Sequence, residues 1–307
     1  MPYVALPAVD PATRRALADA RWNAVAAAKP DLGAAITLQR KLIGLVDDLF
    51  GRFEAGRPPH LSLPPRYLST KLGAGIPALT GEPIQLPVDA LRPTFLELCR
   101  ALAEGGGGEA THQILAAAES GQINVHSLMM LALRREQAAM RTAATRAGLG
   151  HDLLWLVADL GVSPFVHTLL DSVFGATTEP LTSALGAWSR GYCPLCGSWP
   201  ALAERLGGSR RLRCSLCAAA WELPDEQCLY CGESGEPFVV LTPDGSKPGR
   251  TLETCRTCKG YGKVLDTDES LPFPLLALAD LDSMDLDMAA MHTGFARPAL
   301  KNFTARR

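Results

Sequence analysis

Eight of the nine cysteines stand as four Cys-x-x-Cys pairs, Cys193/Cys196, Cys214/Cys217, Cys228/Cys231 and Cys255/Cys258. Two residues between cysteines let a tight turn aim both sulfurs at one ion, and two such knuckles complete a tetrahedral shell. The pairs therefore amount to the ligands of two tetrathiolate metal sites. The region around them is turn-rich and too small to hold an apolar core without its ions. A structural zinc contributes about 10–16 kcal/mol in small modules of this kind.

Other uses of the thiols fit less well. A disulfide framework needs an oxidising compartment, and residues 1–15 contain no apolar signal segment, which points to a cytoplasmic protein. A redox dithiol is usually a single pair beside a βαβ pattern. Cys99 lies in the helix-like run Phe95–Leu102 and reads as a small buried thiol.

Seventeen residues separate Cys196 from Cys214, with Gly207-Gly208-Ser209 as the turn of a hairpin. Between Cys231 and Cys258 the chain runs out through residues 237–242, turns at 243–246 and returns through Thr251 and Leu252. Spacing favours sequential pairing, first with second and third with fourth, and leaves an interleaved arrangement open.

The other 190 or so residues before the first pair have a different character. Apolar positions recur at three- and four-residue intervals in 11–28, 34–53, 89–103, 111–119 and 125–147, separated by proline- and glycine-rich punctuation. Two more apolar segments, 151–160 and 164–174, are expected to be separate helices, with Ser163 capping the second and Pro164 in its first turn. After Lys263, Ala277, Leu281, Met284, Met288 and Met291 mark the buried stripe of a last helix. The fold expected is a mainly α N-terminal domain (1–190), two small zinc-ribbon-like metal modules (191–224 and 225–266) and a C-terminal helical segment (267–307).

Charge narrows the function. The formal net charge is −2, and residues 193–263 carry nine Lys/Arg against eight Asp/Glu, without the basic face of a nucleic-acid-binding ribbon. No membrane span is expected from an uninterrupted apolar run. Asp280, Asp282, Asp285 and Asp287 lack the glycine and terminal glutamate of an EF-hand loop and read as a solvated helix face. The six histidines are scattered, and there is no nucleophile elbow or phosphate-binding loop, so no catalytic site is expected. Only the fourth pair, Cys255-x-x-Cys258-Lys259-Gly260-Tyr261-Gly262, matches the Cys-x-x-Cys-x-Gly-x-Gly repeat of DnaJ-type chaperones; the other three do not.

Read together, Tyr192-Cys193-Pro194-Leu195-Cys196-Gly197-Ser198, Leu212-Arg213-Cys214-Ser215-Leu216-Cys217 with Trp221 beyond it, Cys228-Leu229-Tyr230-Cys231-Gly232, and Glu253-Thr254-Cys255-Arg256-Thr257-Cys258-Lys259-Gly260-Tyr261 resemble the formate dehydrogenase accessory protein family, FdhE. The departure from the pattern is Ala218-Ala219-Ala220, where a glycine or polar residue is more usual. The resemblance implies a cytoplasmic, non-enzymatic maturation factor that binds the catalytic subunit of a formate dehydrogenase. It further implies two rubredoxin-like sites, Cys193, Cys196, Cys214 and Cys217 holding one ion and Cys228, Cys231, Cys255 and Cys258 the other. The implied cofactor is two Fe ions, with zinc the rival, since thiolate shells accept both. Lys259 and Tyr261 exceed what ligation needs and are expected to form an exposed contact to the dehydrogenase; dimerisation is left open. The alternatives from other classes are a rubredoxin-like electron carrier and a zinc-ribbon nucleic-acid binder.

Overall fold

The computed structural model describes residues 3–56, 59–175, 178–243 and 245–301, which gather into two compact units. One consists of residues 9–62 and 79–173 and is helical. Its helices are α1 (Pro11–Ala28), α2 (Gly33–Ala55), α4 (Val88–Glu104), α5 (Gly108–Glu119), α6 (Val125–Leu133), α7 (Gln137–Ala147) and α8 (His151–Phe174, whose last residue falls in the other unit); α3, Pro65–Gly73, also lies there. Asp10 caps α1 by accepting from the amides of Ala12 and Thr13, with Pro11 supplying the pre-set first-turn φ. Leu42, Val46 and Leu49 of α2 and Leu91, Phe95 and Leu98 of α4 are buried, the three-and-four spacing of one face turned inward. Buried Arg14 ties α1 to α2 through Asp47 and Glu54.

Two helix expectations are corrected. Residues 125–147 form two helices, because the chain reverses at Arg135, which takes a left-handed φ of 59°. Residues 151–160 and 164–174, expected as two helices, form the single α8. Pro164 cannot donate to the Leu160 carbonyl, and the Ser163 hydroxyl donates to it instead, at 3.0 Å. Ser163 is thus an internal repair and not a cap. Among the described residues α8 is the one helix long and apolar enough to cross a membrane, but 61% of its apolar window is buried inside the protein.

The other unit, residues 3–8, 63–78 and 174–301, is built on a seven-stranded sheet. Its strands are β1 (Tyr3–Val4), β2 (Pro200–Leu206), β3 (Ser209–Cys214), β4 (Ala220–Glu222), β5 (Phe238–Leu241), β6 (Arg250–Cys255) and β7 (Tyr261–Asp266), in the order β1-β4-β3-β2-β7-β6-β5. Gly207 and Gly208, at φ 57° and 85°, form the two-residue turn between β2 and β3. Each half repeats one pattern: knuckle, two strands, knuckle, third strand. The halves join by parallel pairing of β2 with β7, Ala203 opposite Val264 and Glu204 opposite Leu265. The expected pair of small modules is therefore one continuous sheet.

A domain boundary at residue 190 is not where this unit begins. β1 pairs with β4, Tyr3 opposite Trp221, and the Ala78 amide donates to the carbonyl of Pro194 within the first knuckle. α3 and α9 (Leu181–Gly186) therefore belong to the cysteine-bearing unit.

The C-terminal segment carries α10 (Leu276–Asp282) and α11 (Met284–His292). Its expected faces are exchanged. Met288 and Met291 are both 65% exposed, whereas Leu276, Leu278, Leu286 and Ala290 are buried. The aspartates, expected in solvent, face sheet cations: fully buried Lys263 of β7 pairs with Asp280 and Asp287, each at 2.6 Å, and Arg250 of β6 pairs with Asp282 and Asp285. A buried Lys263 left without a carboxylate would be strongly destabilising, so the aspartates turn toward the sheet, and hydrophobic period alone reads this face wrongly.

Candidate metal centres

Each knuckle is closed by the same local bonds. The amide of the first cysteine donates to the carbonyl five residues on: Cys193 to Ser198, Cys214 to Ala219, Cys228 to Glu233 and Cys255 to Gly260, at 2.7–2.9 Å. The residue after the second cysteine is left-handed in all four: Gly197 at φ 79°, Ala218 at 55°, Gly232 at 78° and Lys259 at 57°. That turn folds the backbone back so that its amides and both thiols point to one side. Ala218 and Lys259 carry the strain that glycine avoids at the other two positions.

The strands then bring knuckles together in sequential pairs. Cys193, Cys196, Cys214 and Cys217 form one quartet and Cys228, Cys231, Cys255 and Cys258 the other, the four sulfurs of each within 4.8 Å of one another. Four sulfurs about 2.3 Å from a central ion stand about 3.8 Å apart. Sulfur separations here are 3.6 Å (Cys193–Cys217), 3.4 Å (Cys196–Cys214) and 3.9 Å (Cys196–Cys217), and 3.6 Å for both Cys228–Cys258 and Cys231–Cys255. These are far too long for disulfides, and none of the eight forms one. Each quartet is able to hold a metal ion, and the donor set suits a thiophilic one. The interleaved arrangement is not formed. Cys99 stands apart in α4, its thiol pushed up to about 12 by burial, as expected of a packing residue.

The two quartets differ in their surroundings. In the first, all four cysteines are buried, and burial drives the thiols of Cys193 and Cys217 well above their ordinary range. The amides of Leu216 and Cys217 donate to Cys214 Sγ at 3.4 and 3.5 Å, and Ser198 Oγ lies 3.3 Å from Cys196 Sγ. In the second, Cys228 and Cys255 are buried while Cys231 and Cys258 are exposed. Burial pushes Cys258 up to about 11, yet Cys255 is lowered, because amides of Cys258 and Thr257 and the Cys231 thiol outweigh its desolvation.

Sequence reasoning missed the charged groups that anchor the sheet. Arg213 pairs with Glu204, both buried, and donates to the carbonyls of Ala218 and Leu271, locking the second knuckle to β2. Arg210 of β3 pairs with Glu253 of β6 across the join of the two halves, where burial outweighs the arginine and holds the Glu253 carboxyl above its usual range. The available signal was a charge in an otherwise apolar strand, Glu204 after Ala201-Leu202-Ala203. The sites also touch: a Cβ on Gly191 would fall 1.6 Å from the Leu229 carbonyl oxygen, so only glycine admits this approach. The rings of Tyr192, Trp199 and Tyr230 continue the contact edge to face, at 5.8 and 4.9 Å.

Lys259 and Tyr261 were expected to share an exposed contact. Lys259 is exposed, but Tyr261 is buried, its hydroxyl donating to Asp287 at 2.8 Å. Arg297 lies over its ring. The tyrosine therefore holds α11 to β7.

No family model matches the chain. It is 26% identical over 170 residues to an FdhE homolog of Aquifex aeolicus, covering 53% of this chain and 56% of that one. With an FdhE homolog of Stutzerimonas stutzeri it shares 36% over 112 residues, 35% of this chain and 36% of the relative, and with Escherichia coli FdhE 32% over 118 residues, 37% and 38%. The chain thus spans about half, or less, of the length of these curated relatives. The crystal structure of the FdhE protein from Pseudomonas aeruginosa covers 100% of this chain and 99% of its own, with a TM-score of 0.59 and 23% identity, a likeness of fold. In its cysteine-bearing region the chain is thus similar to FdhE proteins, and in fold it is like the Pseudomonas aeruginosa one.

Proposed function

We propose that this chain is a cytoplasmic accessory protein that binds the catalytic subunit of a formate dehydrogenase during its maturation and catalyses no reaction itself. The observation that carries the reading is the pair of tetrathiolate quartets on one sheet, in a chain similar to FdhE proteins. Cys193, Cys196, Cys214 and Cys217 hold one ion in this reading, and Cys228, Cys231, Cys255 and Cys258 the other. The ions are iron, with zinc the alternative that four thiolates accept equally well. At the first quartet the ion's task is to hold its two knuckles to each other. Lys259, an exposed cation beside Cys258, contributes to the partner contact.

Affinity purification of the full chain from its native host tests this. The dehydrogenase catalytic subunit should co-elute, and elemental analysis should give two ions per chain. A metal-replete protein that retains no dehydrogenase subunit, in cells whose formate dehydrogenase activity survives its deletion, would show the reading to be wrong.

A further inference from the structure

The two quartets share ligands, spacing and knuckle geometry, yet solvent reaches only one of them. In the first, Cys193, Cys196, Cys214 and Cys217 are at most 5% exposed, and Leu195 and Leu216 at the knuckle tips are sealed beneath neighbouring chain. Ala78 closes that side by its bond to Pro194. In the second, Leu229 is buried at the third knuckle's tip, but Arg256 and Thr257 occupy the corresponding places of the fourth, and both face water. The exposed sulfurs, Cys231 and Cys258, are the second cysteines of two different knuckles. One edge of the tetrahedron is consequently open, while the edge formed by Cys228 and Cys255 is held inside.

Resting on the reading that both quartets hold metal, we propose that the second quartet is the exchange site, through which this chain takes up and gives up a thiophilic divalent cation, and that the first holds its ion permanently. A tetrahedral thiolate site exchanges when an incoming donor reaches the ion before a sulfur leaves, so access to one edge sets the rate. A bidentate donor can replace Cys231 and Cys258 in turn, each freed thiolate taking a proton from water, while Cys228 and Cys255 retain the ion until the last step. At the first quartet no approach exists without opening the sheet. Access and the shell around a thiolate site shift its metal retention by factors of about 10–100.

The test uses the full chain loaded with zinc, its metal content measured, and challenged with excess 4-(2-pyridylazo)resorcinol. Release should be biphasic, one equivalent leaving at least about ten-fold faster than the other. Iodoacetamide present during the fast phase, followed by peptide mapping, should label Cys231 and Cys258 ahead of Cys193, Cys196, Cys214 and Cys217. A protein that binds two ions but releases them in a single phase, or that is labelled first at the buried quartet, overturns the exchange assignment alone. A protein that binds no zinc overturns the metal reading and this inference with it.

Discussion

At the residue scale, the knuckles turn on one backbone angle. Gly197 and Gly232 take the left-handed region freely, whereas Ala218 and Lys259 occupy it at a cost that a Cβ imposes. Ala218→Gly and Lys259→Gly should each raise stability by about 0.5–1 kcal/mol, the relief of strain exceeding the entropy gained by the unfolded chain. Gly232→Ala, where a Cβ meets nothing within 4 Å, should lower it by a similar amount through backbone conformation alone. Urea midpoints of the metal-loaded proteins, compared at constant m-value, provide the measurement. Cys99 obeys a different rule: burial keeps it protonated, so it should stay unmodified by iodoacetamide in the folded protein and react once denaturant is added.

At the scale of elements, the C-terminal helices are held by charge. Asp287 accepts from Lys263 and Tyr261 and pairs with Arg297. Burial raises its pKa, but the bond to Lys263, the charge of Lys263 and that of Arg297 more than reverse this and leave it below the ordinary 3.8. A depressed carboxylate stabilises the fold fully above its unfolded pKa and loses that contribution as the pH falls through the native value. Asp282, lowered by Lys247 and Arg250 against its desolvation, acts in the same direction. Asp287→Asn should therefore cost about 3 kcal/mol near neutrality, because Lys263 is left buried with one carboxylate fewer, and should flatten the stability–pH curve below about pH 4. Equal slopes in wild type and variant below that pH would place the acid sensitivity elsewhere. Lys259→Ala and Tyr261→Ala should likewise separate: the tyrosine change lowers the melting temperature, since it releases α11, and the lysine change does not.

At the scale of the molecule, the parallel join of β2 with β7 and the Arg210–Glu253 pair make the cysteine-bearing unit one cooperative body. Cys214→Ser should therefore expose the whole of residues 191–266 to proteolysis, not the first ribbon alone. The helical unit has its own core of α2 and α4, so far-UV circular dichroism should retain most of its helical signal. Cleavage confined to residues 191–224 would mean that the halves unfold separately.

The sequence by itself determined the eight thiols, the hairpin turn at Gly207-Gly208 and the helices at 11–28, 34–53, 89–103 and 111–119, and it favoured the sequential pairing, because each is written in spacing between near neighbours. Ribbon spacing describes bonds within one hairpin, so it is silent on which strand of one half meets which strand of the other. The repeat itself was available in the recurring order of knuckles and strands, but its parallel join was not. The same limit misassigned the C-terminal helices: five apolar residues at helical period define a face, but only the docked sheet shows that Lys263 and Arg250 demand the aspartates there. Tertiary structure alone decided which quartet meets water, because exposure of Cys231 and Cys258 depends on what packs over them, and four identical Cys-x-x-Cys pairs carry no record of their cover.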